Sequence, residues 1–147
     1  LTIAARSATN RGLSTELRMK ILAALAGILL GALFLFASSM VLFHLAPMPP
    51  LKDDGSAPSY FMLAFAPTGY MTFVKVLEML GGLLVLVPRT RNLGLLVLGP
   101  IIVNILAFHI FVTKGMGLGN PMLITIVVLA AFLLWVERRA WLGLVAR

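Results

Sequence analysis

Cysteine is absent from the chain, which excludes disulfides, thiol redox chemistry and Cys-ligated zinc or iron–sulfur centres. Charge is scarce: 12% of the 147 residues are Asp, Glu, Lys or Arg, about half the share of a soluble domain. Acidic residues are scarcer still, five against twelve basic ones, for a formal net charge of +7. There is no Gly-x-Ser-x-Gly elbow, P-loop, His-Glu-x-x-His pair or dinucleotide fingerprint, so no soluble-type hydrolase or nucleotide-binding chemistry is encoded. What is abundant is apolar: 61% of the residues are hydrophobic, against about 45–50% in soluble domains. Disordered chains are poor in such residues. One small integral membrane domain is what remains.

A membrane-crossing helix needs about 20 largely apolar residues. Four stretches are candidates. Ile21 to Phe43 holds 23 residues without a charge. Met71 to Val87 holds 17, interrupted by Lys75 and Glu78. Leu93 to Val112 holds 20 without a charge, and Pro121 to Val136 holds 16, extendable through Gly117-Leu118. Alternation at period two is absent, so a membrane barrel does not fit. Breakers separate the runs: Pro47, Pro49 and Pro50 after the first, Pro88 to Asn92 after the second, and the Gly-rich Lys114 to Asn120 after the third. The sequence therefore predicts an all-α, four-helix transmembrane bundle, with spans at about 20–45, 71–87, 93–113 and 118–136. The first run exceeds the 7–15 apolar residues of a signal-peptide core, so it reads as a retained helix. Residues 1–18 read as a basic cytoplasmic segment, with the membrane domain at 19–147 and Met19-Lys20 a natural beginning for it.

Basic residues mark the cytoplasmic side of inner-membrane proteins. Arg6, Arg11, Arg18, Lys20, Arg89, Arg91, Arg138, Arg139 and Arg147 fall on one side of the four spans, and Lys52 and Lys114 on the other. Both termini are thus expected on the cytoplasmic side, with a multi-pass chain in the inner membrane. The same reading accounts for the high pI without nucleic acid: the charges are topology signals with some attraction to anionic lipid headgroups. The first external loop, Leu45 to Tyr70, carries an apolar stretch from Tyr60 to Phe65 behind Ser56-Ala57-Pro58-Ser59. That pattern predicts a short interfacial helix, too short to span. Thr68 is a natural cap for the next helix.

Ionisable groups inside a bilayer are costly and rare, so each is a candidate for function. Glu78 falls about 10 Å deep in the second span, with Lys75 one turn shallower on the same face. Asn104 in the third span lies at a depth close to Glu78, and an interhelical hydrogen bond between them is expected. His109 lies at the level of Lys75 but about 140° around the helix from Asn104, so those two do not share a face. Glu78, Asn104, His109 and Lys75 are the ligand-binding candidates. The structural alternative for each is a hydrogen bond or ion pair that holds helices in register. His44, near the outer end of the first span, reads as interfacial; with one His per helix, metal binding is not indicated, and a haem or chlorin ligand role for His109 or His44 is the weaker option. Gly27 and Gly31 form a GxxxG stripe, read as packing within the bundle ahead of dimerisation, and Gly82 permits close helix approach. Pro100 should kink the third helix and free the carbonyl of Leu96.

Thr68-Gly69-Tyr70, then Glu78 with Gly81-Gly82, a basic turn, Leu98-Gly99-Pro100-Ile101-Ile102-Val103-Asn104 and Phe108-His109 together resemble the DoxX family of small four-helix bacterial membrane proteins. Pro47-Met48-Pro49 also looks like that family, and the resemblance covers about Leu30 to Trp135. Lys75 departs from the pattern, where an apolar or small residue is usual. The resemblance implies a four-helix membrane bundle. It also implies association with redox partners, since some relatives are subunits of quinone-linked sulfur oxidation.

No autonomous catalysis is evident. The expected function is a redox- or quinone-associated subunit, or an accessory subunit of a larger membrane complex, with lipids and other membrane subunits as partners. A scaffold that binds lipid or pigment is the alternative, and a small oligomeric transporter a weaker one. A quinol needs a proton acceptor and hydrogen-bond donors in an apolar slot, and Glu78, Asn104 and His109 supply such groups.

Overall fold

The computed structural model describes residues 3–45, 47 and 52–145, with side chains described between 13 and 142. The elements in order are α1 (Ile3–Leu42), α2 (Ala57–Phe65), a 3-10 turn (Ala66–Thr68), α3 (Tyr70–Leu86), α4 (Arg91–Ala107), a π turn (Phe108–Val112), α5 (Pro121–Val136) and α6 (Arg138–Val145). Among the described residues there is no strand. Two helical stretches are long and apolar enough to cross a membrane: Leu13–Leu42 of α1, 30 residues, and Arg91–Val112, 22 residues, which is α4 with its π turn. The chain is read as a membrane protein on that ground. At 17 and 16 residues, α3 and α5 are shorter.

The elements end where local chemistry says they should. α1 runs unbroken from Ile3 through the expected boundary near residue 18. It stops when His44 takes a left-handed conformation, φ 52°. The N–H of Leu45 then donates to the Met40 carbonyl (3.1 Å) and that of His44 to Val41 (3.3 Å), which closes the last turn with two otherwise orphaned carbonyls satisfied. The exposed His44 is thus a helix stop. Of the prolines expected to break the chain here, Pro49 and Pro50 lie outside the described residues, as does the Met48-Pro49 pair.

Ser56 caps α2, its hydroxyl accepting from the Ser59 N–H at 3.3 Å. Before it, Asp53 and Asp54 accept from the N–H groups of Gly55 (3.0 Å) and Ser56 (2.9 Å), two tight turns that aim the helix. Hydrogen bonding from Ser56, side chain first and then main chain, holds the Asp54 carboxyl below its ordinary pKa of 3.8. α2 with its 3-10 turn meets α3 at 82°. Gly69 sits at that corner with φ 80°, a conformation that glycine takes without steric cost. The cap position of α3 is Gly69 rather than the expected Thr68, whose hydroxyl, one residue earlier, still accepts from the Tyr70 N–H at 3.3 Å. Asn120 caps α5 from its own side chain (2.9 Å to Met122 N), with Pro121 in the first turn. That helix begins at Pro121, later than the expected 118, because residues 114–119 are turn.

The helices pack on small residues. A Cβ on Gly31 would lie 2.7 Å from the Gly82 carbonyl oxygen, so α1 and α3 touch backbone to backbone there. Gly81 and Gly94 bring α3 and α4 together, Gly81 against the Leu98 side chain and Gly94 against the side chain and backbone of Val85. Around these contacts Leu30, Phe34, Val85, Leu98 and Leu133 are fully or almost fully buried. The outward faces are also apolar, with Leu25, Ile28, Leu80, Leu96, Val103 and Val128 exposed. An apolar exterior with glycines at the helix crossings is the pattern of helices packed in lipid, where dispersion and close approach replace the hydrophobic drive. Pro100 lies inside α4, which continues through it.

Candidate functional site

Three of the four candidate residues converge. Lys75, Glu78 and His109 line one cleft of about 170 Å³, whose remaining wall is Phe34 and Ala37 of α1, Ile105 of α4 and the start of α5. Glu78 is 3% exposed, and its Oε2 accepts from Lys75 Nζ at 2.7 Å. The Lys75 side chain is 21% exposed, so the ammonium bridges the buried carboxylate and the cleft mouth, its stem lying along the helix.

His109 is oriented by its own backbone. Its Nδ1 lies 2.8 Å from the Ile105 carbonyl oxygen. A carbonyl only accepts, so Nδ1 carries the proton and Nε2 is left as an acceptor in the neutral ring. The π turn sets this up. The Thr113 N–H donates to Phe108 O (3.1 Å), one residue wider than an α turn, and the His109 carbonyl takes the Thr113 hydroxyl (2.8 Å) and the Gly115 N–H (2.7 Å). Single π turns inserted in helices recur at functional positions. Gly117, at φ 90°, then packs against the imidazole: a Cβ there would lie 2.7 Å from Cδ2 and 3.0 Å from Nε2. Phe108, beside His109, packs edge-on against Phe61 of α2 at 5.1 Å.

Asn104 is not part of this group. It is exposed, and the expected Glu78–Asn104 hydrogen bond is not formed. The reason is helix phase. The buried residues of α4 are Arg91, Gly94, Leu95, Leu98, Ile101 and Ile102, and at 100° per residue Asn104 lies about 130° from the centre of that stripe. The equal depth expected from residue counts does not bring the two onto one face. Asn120 is the polar residue that takes the vacant place in the cleft wall. Nothing in the sequence links it to residues some 40 positions upstream. Gly27, Gly31 and Gly82 lie at contacts within the chain.

Among the described residues no three His, Asp or Glu side chains lie together as a metal site would need. A cleft of about 170 Å³ is also far smaller than a tetrapyrrole, whereas a cavity of about 150 Å³ is known to accept a single benzene ring.

Comparison with known proteins adds one relative. The chain is 33% identical over 96 residues to the uncharacterized protein YwoB of Bacillus subtilis (strain 168). The match covers 62% of this chain and 60% of YwoB, so the chain spans less than two thirds of that relative's length. No family model matches the chain, and no solved structure matches it.

Proposed function

We propose that this chain is a four-helix inner-membrane subunit, both termini cytoplasmic, that holds the ring of a quinone in the Lys75–Glu78–His109 cleft on behalf of a redox complex. The observation that carries this reading is the convergence of a cation, a carboxylate and an imidazole on a slot of one-ring size. The resemblance to the DoxX family and the apolar outer faces of the helices support it. When bound, a quinone supplies the two-electron chemistry that the chain's own side chains lack.

The residues present suit such a ring. Lys75 has ammonium protons beyond the one given to Glu78, free for a ring oxygen at the cleft mouth. His109 Nε2 accepts a hydroxyl proton, and its Nδ1–H bond to Ile105 O fixes the tautomer that lets it do so. Glu78 holds Lys75 in place through their 2.7 Å bond, and Phe34 and Ile126 exclude water from the ring faces. The isoprenoid chain leaves through the open side of the slot into lipid. In this reading α3, although only 17 residues long, crosses as one span with α2 lying on the outer interface.

The test is purification of the tagged chain in mild detergent from its own membranes. Quinone is quantified in the lipid extract and co-purifying proteins are identified in the same sample. Quinone near one equivalent, lost in Lys75→Met and His109→Phe but kept in Asn104→Leu, upholds the reading. Quinone at the level of bulk lipid in all four chains sinks it. If large subunits then co-purify without quinone, the second reading stands, that of a scaffold subunit whose exposed apolar faces serve assembly alone.

A further inference from the structure

Asn104 is exposed within Arg91–Val112, a stretch long and apolar enough to cross a membrane. At 1.5 Å per residue it lies about 12 Å from the Val112 end and about 20 Å from the Arg91 end, inside the hydrocarbon when that stretch spans. Its side-chain amide makes no hydrogen bond among the described residues. The exterior around it is apolar, with Leu93, Leu96 and Val103 exposed. An amide has two donor protons and an acceptor oxygen, and hydrocarbon offers a partner to neither, so an unpaired one there is costly. Asn also lacks the long alkyl stem by which a lysine reaches the interface.

The face that carries Asn104 has the spacing of a helix contact. Leu93, Pro100, Asn104 and Ala107 follow one another at intervals of 7, 4 and 3 residues. That is the heptad rhythm of two parallel helices in left-handed contact. At 100° per residue the four fall within a sector about 60° wide. The first three are exposed and Ala107 is half-buried. Pro100 and Ala107, one turn to either side of the amide, are compact and let a second backbone come close. Elsewhere such close contacts are already used within the chain. Gly94 of α4 packs on Val85, Gly31 of α1 packs on Gly82, and Gly27 packs on Arg91 and Val85.

We propose that α4 pairs with α4 of a second copy of this chain, Asn104 against Asn104, in a two-fold dimer. Two arguments select a second copy. Copies of one chain insert the same way round, so their α4 helices run parallel and residue 104 lies at one depth in both. A two-fold axis along the membrane normal then sets the two amides face to face. A carboxamide is also complementary to itself: each Nδ2–H donates to the other's Oδ1, so a single contact satisfies both side chains without a further polar residue. The dimer is independent of the quinone reading, because none of Leu93, Pro100, Asn104 and Ala107 lines the Lys75–Glu78–His109 cleft.

The test has two arms, both on the full chain. The protein lacks cysteine, so single introduced thiols report contact without background. Oxidation in native membranes should link chains bearing Leu93→Cys or Ala107→Cys, two heptads apart on the proposed seam. It should not link those bearing Leu80→Cys or Val128→Cys, exposed on α3 and α5. In mild detergent, energy transfer between labelled chains is followed as the protein-to-detergent ratio rises. Asn104→Leu should weaken self-association about tenfold, and Asn104→Gln, which keeps the amide, should retain most of it. Circular dichroism checks that these variants at an exposed position keep the native helix content. Self-association unchanged in Asn104→Leu overturns the proposal. So does linkage at the α3 and α5 positions equal to that on α4, or a native chain that stays monomeric at every ratio.

Discussion

Gly31 and Gly82 cross with their backbones in contact, and the contact is asymmetric. A methyl group on Gly31 would meet the Gly82 carbonyl at 2.7 Å and Leu86 side-chain carbons at 2.8 Å, whereas one on Gly82 would meet the Gly31 carbonyl at 3.1 Å and Phe34 Cβ at 3.3 Å. Real Cβ atoms do not approach backbone to 2.7 Å, so Gly31→Ala must push α1 off α3. Gly82→Ala needs only a shift of a few tenths of an ångström. We expect Gly31→Ala to lower stability by about 1–3 kcal/mol, the usual cost of overpacking, and Gly82→Ala to cost less. Unfolding in mixed micelles gives the order; equal or reversed losses would mean that the helices do not cross at this pair.

The Lys75–Glu78 pair makes a prediction about non-additivity. Removing Lys75 strands a carboxylate that is 3% exposed, and such single removals from buried pairs cost about 3–5 kcal/mol. Lys75→Met should therefore be strongly destabilising. Lys75→Met/Glu78→Gln should recover much of the loss, because no charge is then left buried. The check is a double-mutant cycle on unfolding free energies. A double variant less stable than Lys75→Met would show that Glu78 has partners beyond Lys75.

The positions of these residues show what a sequence discloses. Depth along a helix axis is read from residue counts, so Lys75 and His109 were expected at one level and do line one cleft. The Lys75–Glu78 bond followed from helical spacing and is present at 2.7 Å. Rotation about the axis is harder to read. α4 is apolar on every side, so its pattern does not reveal which face turns inward, and Asn104 was assigned to the wrong one. The π turn at Phe108–Val112 leaves no mark in composition either. It depends on hydrogen bonds that Thr113 and Gly115 bring back to His109, contacts fixed by the loop that follows. Asn120 joins the cleft only because α5 returns beside α1, a tertiary fact. The helix start at Ser56, by contrast, is local chemistry and legible, whereas the cap at Asn120 falls inside a span expected to begin at 118.

Gly117 is the position where backbone and site meet. It has φ 90° and leaves no room for a side chain beside the imidazole of His109, while Gly119 nearby has no atom within 4 Å of its own Cβ direction. Gly117→Ala should cost about 1–3 kcal/mol through backbone strain. It should also displace the His109 ring, seen as a change in the imidazole nitrogen resonances. Gly119→Ala should leave both unchanged. If Gly117→Ala leaves the imidazole spectrum as it was, the ring does not rest on this loop.

The loop ahead of α2 carries the pH dependence that can be assigned. The Asp54 carboxyl is held below its ordinary value by hydrogen bonding from Ser56, so the folded loop favours the ionised form. The sign follows from linkage. A folded pKa below the unfolded one stabilises the turn fully above the ordinary value of 3.8, and that contribution disappears as pH falls through the lower, folded value. Amide exchange at Ser56, whose N–H donates to Asp54 Oδ1 at 2.9 Å, reports on the turn directly. Protection should hold from neutral pH down to about pH 4 and decline below it. Asp54→Ala should remove both the protection and its pH dependence, and the capped start of α2 should fray with it, because the turn places Ser56 for its bond to the Ser59 N–H. Protection that survives in Asp54→Ala would assign the order of this loop to the Ser59 hydroxyl, which donates to the Lys52 carbonyl at 2.6 Å.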